Sequence, residues 1–234
     1  MRQFIFDVDG TLTPSRSRMD KDFEKWFEPF ATHNAVYLVT GSDREKTLEQ
    51  VGSTVYNLAV RVYNCSGNDV YEQDRNVYRS DFELPMDLRN MLEYLVKESK
   101  FHRKTGKHIE ERPGLVNFSV VGRNANMEDR FLYKQWDEHK SERQSFVDNL
   151  SVQWDELKFQ VAGETGIDIM PKGADKSQIL RDFDVDNDHI YFFGDKMEWG
   201  GNDYELSLAL AHHKQAIHQV KNWEQTWKKL KELA

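Results

Sequence analysis

Apolar and polar positions along the chain predict strands and helices in alternation. Residues 3–8, QFIFDV, are a short apolar run ending in acidic residues, which is typical of a buried strand in a parallel sheet. Asp20 can cap a helix over about 21–32, where aromatic residues recur at helical spacing. A second apolar run at 35–43, AVYLVTGSD, predicts the next strand, and Asp43 can cap the helix that follows. Short loops between such elements favour an α/β layer fold with a parallel sheet.

The middle of the chain has a different pattern, in which helices stand beside antiparallel hairpins. Residues 86–98 have the spacing of an amphipathic helix, and 108–122 alternate like a hairpin that turns at a Pro-Gly pair. A long helix rich in charged residues is predicted over 128–149, and two more strands are predicted over 158–171. This combination indicates a separate α+β module.

Before the inserted module, the parallel-sheet pattern includes a strand and turn at 61–72. The same pattern resumes after it, near Asp175. A strand is predicted at 189–195, HIYFFGD, and a final helix at 219–233. The domain boundaries that we predict are 1–81 with 172–234 for a discontinuous core, and 82–171 for the inserted domain.

Composition limits the kind of protein that this chain can be. Among its 234 residues 31% are charged and 38% are hydrophobic, which is typical of a soluble globular protein. The net charge of −8 argues against a nucleic-acid surface as the main function. The single cysteine, Cys65, excludes a disulfide framework and favours a reducing compartment, so we expect a cytoplasmic protein. No apolar stretch approaches the length of a membrane span, so neither a membrane partner nor secretion is expected.

Acidic and hydroxyl side chains follow three of the predicted strands. Asp7 and Asp9 end the first, Thr40 and Ser42 follow the second, and Asp195 follows the strand near the end of the chain. Because ligands bind beyond the carboxyl ends of parallel strands, we expect these groups to converge. Three carboxylates in one place need a compensating cation, and Mg²⁺ takes oxygen ligands. One aspartate can then attack phosphorus while another handles the proton of the attacking or leaving oxygen.

Phosphoryl transfer also needs hydrogen-bond donors and a fixed positive charge. Thr40, Ser42 and the backbone N–H groups at the helix start can supply the donors. The pattern leaves open which of the two hydroxyl groups holds the phosphoryl group. Lys176, in GADKSQ, lies at a predicted helix start and can supply the charge.

The candidate segments, in their order, resemble the four motifs of the haloacid dehalogenase superfamily of phosphotransferases. These are DVDGTLT, LVTGSD, the lysine at 176 and FFGDKMEWGGND. Longer blocks, from residue 7 to about 206, are similar to the eukaryotic phosphomannomutase family; they include DVDGTLTPSR, GSDREKTLEQVG, HIEERPGLVNFSVVGR and GIDIMPKGADK. The resemblance implies a Rossmann-like α/β core with an inserted α+β cap domain for substrate specificity.

The resemblance also implies roles for individual residues. Asp7 would be the phosphorylated nucleophile, Asp9 the acid/base and Lys176 the catalytic charge. The implied Mg²⁺ ligands are Asp7, the backbone carbonyl of Asp9 and Asp195, and Asn202 and Asp203 at the end of the fourth motif are further candidates. The positions that match substrate- or phosphate-binding residues are Arg16, Arg112, Asn117, Arg123, Arg130 and Asp168, beside Thr40 or Ser42.

Two positions depart from the family pattern. Gly166 stands two residues before Asp168, where the family usually carries a serine, so one hydrogen bond to the sugar or phosphate is expected to be missing. The family dimerises through an apolar cap strand, which implies a homodimer through the cap. Here His108 precedes Ile109 in place of an aromatic residue, which weakens that expectation.

The leading hypothesis is a Mg²⁺-dependent phosphomannomutase that interconverts mannose 1-phosphate and mannose 6-phosphate, with a hexose bisphosphate as activator. A sugar-phosphate phosphatase would use the same residues and differ only in whether water or sugar reaches the phosphorylated Asp7. A non-catalytic sugar-phosphate-binding protein is the third hypothesis, and it would not need both Asp7 and Asp9. The residues leave open the choice between mutase and phosphatase, the preferred sugar and the oligomeric state.

Overall fold

The computed structural model describes residues 2–233 and separates into two compact units. The first unit contains the residues up to Ser80 and those from Ala174 onward, and the second is Asp81–Gly173. The boundaries suggested by the sequence pattern were 81/82 and 171/172. Each unit has its own sheet and its own buried apolar cluster.

The elements are numbered in chain order. The strands are β1 (Arg2–Asp7), β2 (Ala35–Val39), β3 (Arg61–Asn64), β4 (Asp69–Glu72), β5 (Arg75–Arg79), β6 (Ile109–Arg112), β7 (Leu115–Phe118), β8 (Leu157–Ala162), β9 (Gly166–Pro171), β10 (His189–Gly194) and β11 (Ala216–Gln219). The helices are α1 (Lys21–His33), α2 (Arg44–Leu58), α3 (Met86–Glu98), α4 (Met127–Lys140), α5 (Glu142–Gln153), α6 (Tyr204–His212) and α7 (Trp223–Leu233). Short 3₁₀ helices span Cys65–Gly67 and Lys176–Asp182.

The first unit is built on a seven-stranded sheet in the order β11-β10-β1-β2-β3-β4-β5. The five strands from β11 to β3 are parallel, and β4 and β5 add an antiparallel edge. The predicted α/β class with a parallel sheet is confirmed. The carboxyl ends of β1, β2 and β10 lie side by side, because these three strands are neighbours in register.

Helices cover both faces of this sheet, so β1 is buried from its second residue to its last. Successive side chains of a strand point to opposite faces. Phe4 and Phe6 therefore lie in the cluster that contains Phe27 of α1, whereas Ile5 lies in the cluster that contains Leu206 of α6. All of these side chains are 0% exposed. Burying each stabilises the fold by about 1.5–3 kcal/mol and fixes the strand end that carries Asp7.

Helices α1 and α2 begin at acidic caps. Asp20 accepts hydrogen bonds from the backbone N–H groups of Asp22 and Phe23, and the Asp43 side chain accepts one from Lys46. Helix α2 continues past the predicted end near Val51, through a kink at Gly52 where φ is 77°. None of the helices within residues 2–233 is both long and apolar enough to cross a membrane.

The second unit contains a four-stranded antiparallel sheet in the order β6-β7-β9-β8. One face of this sheet packs into an apolar cluster with the helices, through residues such as Phe118, Ile167 and Ile169. The register places four polar residues in a row across the opposite face: Glu110, Asn117, Asp168 and Gln160. The sheet therefore has an apolar face and a polar face.

Several predicted elements differ from the structure. The helix predicted over 128–149 was wrong: α4 and α5 are separate helices, with Ser141 between them at φ 51°. The final helix starts at Trp223 rather than at 219, because the preceding residues form β11. Lys176 begins a 3₁₀ helix. Strands β5 and β11 were not predicted.

Candidate active site

Asp7 is the last residue of β1 and lies at the carboxyl edge of the parallel sheet. Only 2% of the residue is exposed. Gly10, in the loop that follows, has φ +83°, and a Cβ there would lie 2.5 Å from Oδ2 of Asp195. Glycine therefore permits the turn and also allows Asp195, after β10, to approach the loop after β1.

Lys176 joins two of the candidate carboxylates. Its Nζ donates to Oδ1 of Asp7 at 2.5 Å and to Oδ1 of Asp203 at 2.7 Å, and the lysine side chain is 0% exposed. Burial acts to lower the pKa of Lys176, but Asp203 and Asp7 outweigh it and raise the pKa above its ordinary value. The lysine is therefore a fixed positive charge beside Asp7.

Asp7, Asp195 and Asp203 form one acidic group, in which each offers an oxygen within 4.8 Å of the others. Burial raises the pKa of Asp7 to about 8; Lys176 opposes this effect, and Asp203 and Asp195 reinforce it. Burial likewise raises the pKa of Asp195. Oδ2 of Asp7 is buried and has no hydrogen-bond partner within residues 2–233.

These observations fit a hard divalent cation such as Mg²⁺. Lys176 supplies one positive charge to three carboxylates, so full ionisation leaves an excess of negative charge in a buried place. The donors are carboxylate oxygens, which Mg²⁺ prefers, and one of them is unpartnered. The structure thus brings together three of the predicted ligands. Asn202 is exposed, next to the buried Asp203.

The Asp9 carboxylate is held by donors of its own. Oδ1 accepts hydrogen bonds from the backbone N–H of Arg16 at 2.8 Å and from Nε2 of Gln50 at 2.9 Å. Oδ2 accepts one from Oγ of Ser42 at 3.4 Å. Burial acts to raise the pKa of Asp9, but the donors of Arg16 and Gln50 and the charge of Lys46 outweigh it and lower the pKa. Asp9 is therefore an ionised carboxylate with hydrogen-bond donors at both of its oxygens.

Gln50 was not singled out by the sequence analysis. It lies on α2, seven residues after the cap Asp43, and is 3% exposed. Two helical turns separate the two positions, so both are on the side of α2 that faces the site. The burial of Gln50 and its contact with Asp9 are properties of the fold, so no signal in the sequence marks this residue.

Thr40 and Ser42 lie in the loop after β2 and have different partners. Oγ1 of Thr40 accepts from the backbone N–H of Ser42 at 3.1 Å, whereas the Ser42 hydroxyl contacts Asp9. The N–H groups of Cys65 and Ser66 donate to the carbonyls of Ser42 and Thr40 at 2.8 and 2.7 Å. Both donors have φ values near +50° to +60°, so a strained turn fastens the loop.

The second unit gathers four other predicted residues into one hydrogen-bonded row. Nδ2 of Asn117 donates to Oδ1 of Asp168 at 2.6 Å, and Nη1 of Arg123 donates to Oδ1 of Asn117 at 3.2 Å. Arg123 pairs through Nε with Glu110. Arg112 donates to the same glutamate from Nε at 2.8 Å and from Nη2 at 2.6 Å.

Two acidic groups in this row titrate differently. Burial raises the pKa of Asp168, with Asn117 opposing it. Burial also acts to raise the pKa of Glu110, but Arg112 and Arg123 outweigh it and lower the pKa. Glu110 is therefore an ionised partner for two arginines.

The remaining candidates lie on other elements. Arg130 is on α4 and only 9% exposed, and Arg16 is exposed after the first motif.

A Cβ at Gly166 would lie 2.7 Å from Nδ2 of Asn117. The Asn117 amide thus occupies the space that a side chain at Gly166 would take.

Solved structures with this fold include two enzymes of low sequence identity. An N-terminally truncated Plasmodium falciparum IMP-nucleotidase matches with a TM-score of 0.61 at 12% identity, over 100% of this chain and 68% of that one. Trehalose-6-phosphate phosphatase from Aspergillus fumigatus matches with a TM-score of 0.56 at 16% identity, over 99% and 92%. At these identities the likeness establishes the fold.

Sequence comparison establishes the family. Residues 23–234 match the family model described as eukaryotic phosphomannomutase. Phosphomannomutase of Saccharomyces cerevisiae is 31% identical over 98% of this chain and 92% of its own length. The phosphomannomutase of Spinacia oleracea is 32% identical over 98% and 94%, and human phosphomannomutase 1 is 30% identical over 98% and 90%. The relatives therefore also cover the first motif, and the chain belongs to the eukaryotic phosphomannomutase family.

Proposed function

We propose that this protein is a Mg²⁺-dependent phosphomannomutase, which interconverts mannose 1-phosphate and mannose 6-phosphate through a phosphorylated Asp7. The proposal rests on the surroundings of the Asp7 carboxylate, together with the membership of the chain in this family. One oxygen of the carboxylate is fixed by Lys176 and the other is unpartnered. Asp9 lies two residues after Asp7, and its carboxylate is ionised and accepts hydrogen bonds from several donors, so it is assigned the role of base.

The reaction starts from the phosphorylated Asp7. A hydroxyl of the bound hexose monophosphate attacks phosphorus, the bond from phosphorus to Asp7 breaks, and Asp9 accepts the hydroxyl proton. The resulting bisphosphate reorients, and Oδ2 of Asp7 attacks its other phosphoryl group. The sugar oxygen leaves with the proton that Asp9 returns, so no water is consumed and the enzyme is again phosphorylated.

The other residues supply charge and orientation. Lys176 holds Oδ1 of Asp7, so that Oδ2 faces the phosphorus. Ser42 is proposed to donate to the phosphoryl oxygens, because its hydroxyl is the one beside Asp9. Asp7, Asp195 and Asp203 would hold Mg²⁺ with the Asp9 carbonyl, and the ion would neutralise charge that develops on the phosphoryl oxygens.

The second unit is proposed to bind the part of the substrate that does not react. Arginine forks suit phosphate, so Arg112, Arg123 and Arg130 are assigned to the second phosphate. Asn117 and Asp168 are assigned to sugar hydroxyls, because they lie in the same row on the polar face of the sheet.

The proposal is tested by ³¹P NMR on the protein with Mg²⁺, mannose 1-phosphate and a trace of hexose bisphosphate. A growing 6-phosphate signal is expected. Inorganic phosphate in its place would identify a phosphatase, and an unchanged spectrum would contradict both enzymatic functions on this sugar. Asp7→Asn is expected to abolish turnover, whereas Asp22→Asn, an exposed acid on α1, is expected to leave it unchanged. A fully active Asp7→Asn protein would exclude the aspartyl-phosphate.

We also propose that the protein forms a homodimer through β6. This strand is at the edge of the second sheet and has no partner on its outer side within residues 2–233. Exposed strand edges are templates for pairing with another chain. Sedimentation equilibrium is expected to give twice the monomer mass, and a monomer at all concentrations would reject the proposal.

A further inference from the structure

Glu110 lies among the residues assigned to the second phosphate, although no step of the reaction uses it. Its Oε1 accepts from Nε and Nη2 of Arg112 at 2.8 and 2.6 Å, and its Oε2 pairs with Nε of Arg123. One carboxylate therefore bridges two guanidinium groups. An acid at this place would repel a phosphate, so its presence calls for a physical explanation.

The two arginines come from parts of the chain with different constraints. Arg112 is two residues from Glu110 on β6, so both side chains are on the same face of a strand that pairs with β7 along its whole length. Arg123 is in the loop after β7, directly after Gly122 at φ +86°. Its partners Glu110 and Asn117 are themselves cross-strand neighbours on the sheet. Glu110 thus fixes the loop arginine to the strand that carries the other arginine.

The contact of Glu110 with both arginines affects phosphate binding, because it sets the spacing of the two guanidinium groups. Two guanidinium groups that approach each other without an anion repel, and each long side chain gains rotamer freedom when it separates. Glu110 engages the Nε of both, which sets the direction in which each planar group points. A phosphate that must meet both forks at once binds better when their spacing is already set.

We propose that Glu110 is a positioning residue, which holds Arg112 and Arg123 at the spacing that the second phosphate of a hexose phosphate requires. This inference rests on the proposed function, because that function assigns the two arginines to phosphate. Glu110 acts through them and does not touch the substrate. The substrates that depend on it are those with a phosphate remote from the reacting group.

The test compares Glu110→Gln with the unchanged protein on two substrates. For mannose 1-phosphate, with hexose bisphosphate present, KM is expected to rise about tenfold while kcat stays within about twofold, since the loss concerns binding. For p-nitrophenyl phosphate, which has no second phosphate, the single-turnover rate at which Asp7 takes the phosphoryl group and p-nitrophenolate is released is expected to remain the same. This split separates a positioning role from general damage to the fold.

Three further variants show whether the effect of Glu110→Gln comes from its contact with the two arginines. Glu110→Asp keeps the charge but has one methylene fewer, so it is expected to reproduce most of the rise in KM if bridging is what matters. Glu164→Gln, an exposed acid paired with Lys134 in the same unit, is the matched control and is expected to change nothing. Arg123→Ala measures how much the phosphate site itself lowers KM for mannose 1-phosphate.

The outcomes distinguish failure of the inference from failure of the proposed site. If Arg123→Ala raises KM and Glu110→Gln leaves it unchanged, the positioning role is wrong and the phosphate site stands. If Glu110→Gln lowers KM, or binds inorganic phosphate more tightly in calorimetry, Glu110 competes with the ligand and the inference is overturned. If Arg123→Ala also has no effect, the assignment of the site fails and the inference fails with it. A Glu110→Gln effect that shrinks in the Arg123→Ala background would support the role directly.

Discussion

Lys176 carries one positive charge into a buried group of three carboxylates. Breaking a buried ion pair by removing one partner costs several kcal/mol, because the other partner is left without compensation. The same lysine donates to Oδ1 of Asp7, which in the proposed reaction is the oxygen that does not attack phosphorus. We therefore expect the Lys176 side chain to contribute both to the stability of the fold and to the proposed activity.

We expect Lys176→Met to lower the free energy of unfolding by about 3 kcal/mol and to lower kcat by about a hundredfold. Urea unfolding in the presence of a chelator measures the first effect, and ³¹P NMR measures the second. Lys172→Met, at an exposed position four residues earlier, is the matched control. A Lys176→Met protein as stable and active as the control would show that the charge is not needed.

Single residues differ in how far the sequence reveals them. Asp7, Asp9 and Asp195 could be predicted, because each follows an apolar strand and strand ends meet at one edge of a parallel sheet. Glu110 and Gln50 could not be assigned a role in this way. Their partners come from cross-strand pairing and from one face of α2, and no local pattern shows which side chains will meet.

Among the elements, the break between α4 and α5 shows how tertiary contacts override a helical pattern. Asp137 accepts from the backbone N–H and from Nε of Arg143, both at 2.8 Å, across the break at Ser141. Arg143 also donates to the carbonyls of Gly163 and Gly166 at 3.2 and 3.3 Å. A charged pair and a left-handed residue thus fix a turn where the charge pattern alone predicts a continuous helix.

Short edge strands were missed for a related reason. All five residues of β5 are exposed, so no apolar alternation marks them, and β11 has only four residues. Each becomes a strand because a neighbour in the sheet offers backbone partners. The central strands, in contrast, have the apolar runs that burial on both faces requires.

We expect Asp137→Asn to lower the free energy of unfolding by about 3 kcal/mol, because it leaves the Arg143 charge buried and uncompensated. Both side chains are only 10% exposed, so solvent screens the pair weakly. Chemical unfolding measures the change, with Asp148→Asn on exposed helix surface as the control. Equal stability of the two variants would mean that the pair does not hold the turn.

For the molecule as a whole, the acidic group couples metal binding, proton binding and stability. Without a cation the pKa of Asp7 is raised to about 8, whereas an unfolded chain has an ordinary aspartate. Between the unfolded pKa of about 4 and the folded pKa, the folded state binds more protons than the unfolded state. The metal-free protein should therefore lose stability as the pH rises through this range.

Mg²⁺ should remove this loss, because a cation beside Asp7 favours the ionised carboxylate in the folded state only. We expect the increase in melting temperature on adding saturating Mg²⁺ to grow between pH 6 and pH 8, and a chelator to reverse it. Ligand at a hundred times its dissociation constant stabilises by about 2.7 kcal/mol, which gives a shift of several degrees. Asp195→Asn, which removes one of the proposed ligands, should reduce the shift at every pH. A Mg²⁺ effect that is the same at pH 6 and pH 8, or that survives in Asp195→Asn, would mean that the ion binds elsewhere and that Asp7 does not depend on it for its charge.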